Sequence, residues 1–195
     1  MTHPSRRLVL LAPLLAAACA SSDPVYYSLA PVPGTPQGGG PRTVEIRRPG
    51  LAGYLDRPEI VRSGTDYRLQ VASGERWGEP FGDLVARVLA EDLTGRLPGT
   101  AVFTSTGAIS SESAAAVELD LQRFDLDAGG TVVLLAQVSV TRGRGSRWRQ
   151  AQGFRLQRMS VPPGTPGLVA TMSGLVGELA DGIAAILRRL PATGA

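Results

Sequence analysis

The stretch Val117-Glu118-Leu119-Asp120-Leu121-Gln122-Arg123-Phe124-Asp125-Leu126 decides the fold class. Val117, Leu119 and Leu121 alternate with Glu118, Asp120 and Gln122, the period of a strand with one buried face. After Gln122 the apolar positions change parity, to Phe124 and Leu126. One face stays buried through that change only if an extra residue is inserted, which predicts a β-bulge at Gln122 and Arg123. A turn follows over 127–130, and Leu134, Ala136, Val138 and Val140 share one face of the next strand. After a second turn over 143–146, Trp148, Phe154 and Leu156 share a face of a third strand, which the prolines between 162 and 166 end. The three strands read as an antiparallel meander.

Outward from the meander, two helices are expected. Pro80 suits a first-turn position, and Phe81, Leu84, Val85, Val88, Leu89, Leu93 and Leu97 follow at helical spacing until Pro98-Gly99. A short strand over 101–104 comes next. The second helix is predicted over 167–190, with an apolar stripe of Leu168, Met172, Leu175, Val176, Leu179, Ile183, Ile186, Leu187 and Leu190. Another face carries Ala170, Ser173, Gly174, Gly177, Asp181, Ala184 and Ala185. Glycine inside a helix costs about 0.8–1 kcal/mol against alanine, so this face needs a packing reason, within the chain or between subunits.

The N-terminal half adds short strands over 25–29 and 44–46, and a hairpin of 59–62 with 67–72 about Gly64. Residues 31–41 hold four prolines and four glycines, a loop with little capacity for regular structure. The expected class is α+β: an antiparallel sheet with two long helices packed on it, forming one domain over 25–195.

The chain has 195 residues, 43% hydrophobic and 19% charged, an ordinary globular balance. All twenty basic residues are arginine, His3 is the single histidine and Cys19 the single cysteine. Ser-His-Asp and Cys-His catalysis and His- or Cys-ligated metal sites are thereby excluded once the N-terminus is processed. An enzyme would have to run on carboxylates, tyrosine or arginine. Glu91 and Asp92 are adjacent on a helix and do not face each other, and Asp120, Asp125 and Asp127 read as surface charge. No catalytic residue, metal or cofactor is expected.

The N-terminus reads as a secretory signal over 1–18. Arg6 and Arg7 precede an apolar stretch over 8–18, too short to span a bilayer by roughly seven to nine residues. It ends Leu15-Ala16-Ala17-Ala18-Cys19, which resembles a bacterial lipobox with Ala16 at the place leucine usually holds. An ordinary cleavable signal is the alternative. In the lipobox reading Cys19 carries acyl chains such as palmitate and anchors the protein, with 19–24 as a short tether. The five residues of 20–24 reach at most roughly 17 Å, so the folded part sits close to the membrane. Ala20 after the cysteine resembles the sorting signal for the outer membrane. Loss of Arg6 and Arg7 leaves eighteen basic against seventeen acidic residues, and no nucleic-acid role follows from that balance.

Three motifs follow in order: Tyr26-Tyr27-Ser28-Leu29, Gly53-Tyr54-Leu55-Asp56-Arg57-Pro58-Glu59-Ile60-Val61, and Arg76-Trp77-Gly78-Glu79-Pro80. With the lipobox before them, the chain resembles the ABC-type transport auxiliary lipoproteins, the PqiC (YmbA) family, most sharply over 26–97. The resemblance implies a non-catalytic, periplasm-facing lipoprotein, usually of the outer membrane. Its relatives accompany MCE-domain proteins, often with an ABC ATPase and permease, in moving lipids between membranes. Asp56, Arg57, Arg76 and Trp77 match the family motifs. The two charges before Pro58 suit either a self-satisfied turn or a partner contact, and Trp77 suits either a staple on the following helix or a stacking site.

Arg142, Arg144, Arg147, Arg149, Arg155 and Arg158 fall within seventeen residues that contain no acid. Arg147, Arg149 and Arg155 share a parity opposite to Trp148, Phe154 and Leu156. Such a stripe suits anionic head groups, lipopolysaccharide phosphates or an acidic partner, or else a solvated face answered by Glu118, Asp120, Asp125 and Asp127. The expected function is an accessory component that docks a lipid-transporting MCE assembly at the outer membrane. The alternative is a structural or regulatory envelope lipoprotein without transport. The small-residue helix face leaves homo-oligomerisation open.

Overall fold

A computed structural model describes residues 23–108, 112–143 and 148–191. The expected signal peptide, Cys19 and Arg147 lie outside the described residues. From the N-terminus the elements are β1 (Val25–Tyr27), β2 (Thr43–Ile46), β3 (Gly50–Leu51), β4 (Glu59–Ser63), β5 (Leu69–Trp77), α1 (Phe81–Arg96), β6 (Ala101–Thr104), β7 (Ala115–Leu126), β8 (Thr131–Arg142), β9 (Arg149–Met159) and α2 (Thr165–Leu187).

The meander forms as its parity requires. β7 pairs antiparallel with β8 and β8 with β9, and the β7–β8 register slips between Leu121 and Arg123. The inserted residue keeps Leu119, Leu121 and Phe124 on one buried face, opposite buried Leu134, Ala136 and Val138.

The rest of the sheet is mixed, which corrects the expectation of an antiparallel one. β2, β3 and β4 lie parallel to β7 along its other edge, at Val44↔Ala115, Gly50↔Asp120 and Arg62↔Leu126. They are successive pieces of one chain segment that tracks β7 in a single direction, so all three pairings are necessarily parallel. β6 adds to β2 and β1 to β5, both parallel, and only the β4–β5 hairpin turns back. Two- to five-residue strands carry no sequence mark of pairing direction, because parity reports the buried face and not the neighbour.

α1 begins behind Pro80 and buries Leu84, Val85, Val88, Leu89 and Leu93 completely. α2 opens with Pro166 in its first turn, where the missing N–H is not needed, and closes three residues before Leu190. Its length and hydropathy would suffice to cross a membrane, but two-thirds of it lies inside the fold. It packs on α1, β8 and β9 as a core helix.

Part of the small-residue face of α2, at Ser173 and Gly177, is occupied by the chain's own loop, while Gly174 faces Arg158 of β9. Ser173 Oγ accepts a hydrogen bond from the Ala30 N–H (3.1 Å), and a methyl at Gly177 would stand 3.1 Å from Val32. Further along, a methyl at Gly182 would stand 2.3 Å from the Phe154 ring of β9. Close approach within the chain therefore accounts for these glycines.

Candidate functional site: where the three motifs meet

The three motifs, spread over more than fifty residues of sequence, are hydrogen-bonded to one another at one end of the sheet. The Trp77 N–H donates to the Pro58 carbonyl (2.8 Å), and the Gly78 N–H to the Tyr27 carbonyl (2.9 Å). Tyr27 lies opposite Trp77, and Arg76 lies opposite both Tyr26 and Glu59. The Trp77 ring stacks on Phe81, the first residue of α1, with centroids 4.8 Å apart, and Phe81 tilts against Phe124 of β7. Trp77 is buried, so it serves as the staple on the helix and offers no open stacking face.

Glu79 and Ser28 extend the cluster. Arg87 of α1 donates to Glu79 (2.8 Å), to Ser28 Oγ (3.2 Å) and to Glu91 (2.9 Å). The exposed remainder of the motifs is charged. Arg57 Nε donates to Glu59 Oε2 (3.1 Å), and that bond, with the field of Arg76, holds the Glu59 carboxyl below its ordinary range. Asp56, Arg57 and Arg76 are exposed. These pairs stand in water and add little to stability, which leaves them able to exchange partners.

Tyr54 carries the central motif onto the sheet. Its hydroxyl donates to Asp125 Oδ2 (2.6 Å), while Arg123 Nε and Nη2 donate to Oδ1 (3.1 and 3.0 Å). Asp125 is 1% exposed, so its charge needs both partners. Burial first, then the hydrogen bond to Asp125, pushes the Tyr54 hydroxyl well above the ordinary tyrosine range. It is a neutral donor at any physiological pH. Past the bulge, ordinary strand alternation puts Arg123 and Asp125 on one face, and together they form the receptor for Tyr54.

A second buried set holds the loop that begins with Pro31. Asp92 Oδ1 accepts the Val32 N–H (2.7 Å), and Arg96 Nη1 donates to the Val32 carbonyl (2.9 Å). Arg96 Nε donates to Asp181 Oδ1 of α2 (2.5 Å), and Arg188 Nε to the Gly38 carbonyl (2.8 Å). The proline- and glycine-rich loop is thus a strap pinned across both helices. A shallow pocket of about 540 Å³ lies over it, with Arg96, Arg158 and Asp181 on its wall. A smaller one of about 280 Å³, between α1 and β6, is lined by Ala90, Thr94, Val102 and Phe103.

The arginine stripe separates. Arg149 pairs with Glu118 (3.5 Å), which also takes Arg47. Arg158 falls on the helix side and pairs with Glu178 of α2 (3.2 Å). Arg155 is exposed on the opposite side. Among the described residues only Glu118 of the expected acids answers the stripe: Asp125 is taken by Tyr54 and Arg123, Asp120 accepts from Gln122, and Asp127 accepts backbone N–H groups in the β7–β8 turn. Glu91 and Asp92 point to different partners, and among the described residues no group of three acids, histidines or cysteines could hold a metal.

Residues 27–184 match the family described as the ABC-type transport auxiliary lipoprotein component. The chain belongs to that family. Its members are lipoproteins, a membrane-anchored class, that serve an ABC-type transport system as an auxiliary component, so transporter components are its partners in kind. Among curated proteins none matches the sequence significantly. Two solved structures share the fold. An uncharacterized protein superposes with a TM-score of 0.71 at 18% identity, over 85% of this chain and 99% of its own. A protein from Xanthomonas campestris superposes with a TM-score of 0.68, also at 18% identity, over 84% and 94%.

Within this family member, the sequence reading found the motif residues and missed what they rest on. Tyr54 stands inside the 53–61 motif, but its partner Asp125 reads as surface charge because strand parity alone puts it on the face away from the core. The Asp92–Arg96 spacing of four residues was the one visible signal for the strap anchor.

Proposed function

We propose that this chain is a non-enzymatic lipoprotein of the outer membrane, anchored through acylated Cys19, that docks an MCE-domain protein and its ABC ATPase and permease during lipid transport. The observation that carries the reading is the convergence of three separate motifs on one charged, exposed end of the sheet, with a buried support beneath it. Asp56, Arg57 and Arg76 are the proposed contacts there, while Trp77 holds the surface in shape. Arg155, with Arg149 and Arg147, is a second candidate contact, for an anionic surface. Ala20 after the cysteine supports the outer membrane, and the short tether supports a position close against it.

The test is affinity recovery of the tagged, acylated protein from membranes, with mass spectrometry of its companions. An MCE-domain protein is expected, weakened by Cys19→Ala and by Arg57→Glu/Arg76→Glu. Recovery of cell-wall or secretion components alone would overturn the transport reading in favour of a structural envelope lipoprotein.

A further inference from the structure

Among the described residues, the exposed large apolar side chains are Val25, Tyr26, Tyr67, Leu69, Val71, Met159 and Val161. Five of them gather at one end of the sheet. The β4–β5 hairpin brings Ser63 opposite Leu69; one residue before Ser63, Arg62 lies opposite Leu126, Leu126 opposite Val132, and the preceding Thr131 opposite Met159. Leu69 and Met159 therefore close the same row of the sheet, about 19 Å apart at the usual strand spacing. Tyr67 and Val161 extend beyond that row.

Tyr67 and its neighbour Asp66 hold left-handed backbone, with φ of 60° and 57°. A bulky aromatic residue rarely takes that conformation, and here its ring is fully exposed, so no packing within the fold compensates for it. A strained turn that holds an aromatic ring out of the protein calls for something outside to receive it.

The direction of β1 says what lies there. β1 is parallel to β5, with Val25 opposite Glu75, so the chain enters the sheet from the hairpin end. Cys19 precedes Val25 by six residues, and Leu69 precedes Glu75 by six. At most roughly 20 Å of chain therefore separates the anchor from β1, the same length that separates the rim from Glu75.

We propose that this end is a membrane-contact rim, in which Tyr67, Leu69, Val71, Met159 and Val161 enter the interface of the bilayer that holds the Cys19 acyl chains. The proposal rests on the lipoprotein reading above. It also orients the protein: β5 runs from the rim at Leu69 to the motif surface at Trp77, so the membrane and the transport partner take opposite ends.

The experiment uses the full, acylated chain reconstituted into phosphatidylethanolamine–phosphatidylglycerol vesicles with brominated acyl chains. Acylated Cys19 has no free thiol, so Arg68→Cys in the hairpin and Glu112→Cys, three residues ahead of the far end of β7, each take one environment-sensitive fluorophore. A blue shift and bromine quenching are expected at 68 and not at 112. Both are lost at 68 when Tyr67→Ser and Leu69→Ser are added, while the protein still floats with the vesicles. A label at 68 that stays in water on vesicle-bound protein would overturn the rim, as would quenching unchanged by the serine pair. Protection at 68 without vesicles, with a doubled mass, would assign the rim to a second copy instead. Absence of the acyl mass on Cys19 would remove the lipoprotein reading itself, and the rim with it.

Discussion

Replacing Arg96 by methionine is the most informative single perturbation. The Arg96 side chain is 2% exposed and touches Asp92, whose side chain is fully buried, and Asp181, which is half exposed. Methionine keeps most of the volume and removes the charge, so Asp92 stays buried without its cation. Breaking a buried pair from one side costs about 3–5 kcal/mol. Asp92 keeps the Val32 N–H and Asp181 can turn to water, which argues for the lower end, about 3 kcal/mol. For a domain of this size that lowers Tm by about 6–12 °C, read by far-UV circular dichroism of the Cys19→Ala protein.

The pH dependence makes the reasoning specific. Burial raises the Asp92 carboxyl above its ordinary range, with the Val32 N–H and Arg96 opposing the rise. The folded state then holds a proton that the unfolded state has lost, between the unfolded value and the raised one. Stability from this group is therefore greatest at acid pH and declines as pH rises through that window. Without Arg96 the rise is larger, so the deficit of Arg96→Met shrinks on going from pH 7 to pH 5. Adding Asp92→Asn, which still accepts the Val32 N–H, recovers part of the loss at pH 7. A deficit below about 0.5 kcal/mol, or one that does not change with pH or with Asp92→Asn, would refute the buried-charge account.

Tyr54→Phe removes one hydrogen bond to a buried carboxylate and is expected to cost about 1.5–3 kcal/mol in urea unfolding. Because the folded hydroxyl titrates above the ordinary tyrosine range, wild-type stability falls more steeply than that of Tyr54→Phe as pH rises past about 10. Gly95→Ala, on the exposed side of α1 with open space around it, should stabilise by about 0.8–1 kcal/mol, whereas Gly182→Ala drives a methyl into Phe154 and should lower Tm. Trp77→Ala should cost about 3–5 kcal/mol through the lost burial and the cavity left beside Phe81. Arg57→Ala and Arg76→Ala should instead leave Tm within a degree or two and act on partner recovery alone, because both side chains stand in water.

What could be read from the chain was local. Period two with a break at Gln122 located both the meander and its bulge, and period 3.6 located α1 and α2, because each pattern is set by which side chains one element must bury. The motif residues were visible as motifs, and Trp77 as a staple. What required the tertiary structure was every pairing between distant pieces. The short strands β2, β3 and β4 line up parallel on β7 because one chain track follows its edge, a fact that no strand of two to five residues records. Asp125 alternates like a solvent-facing residue, yet Tyr54 and Arg123 cover it. The glycine face of α2 is consistent with either a second subunit or a strap, and only the position of Val32 and Arg96 selects the strap. Burial within an element is a one-dimensional property that sequence periodicity expresses directly; which charged group meets which depends on how elements distant in sequence are laid side by side.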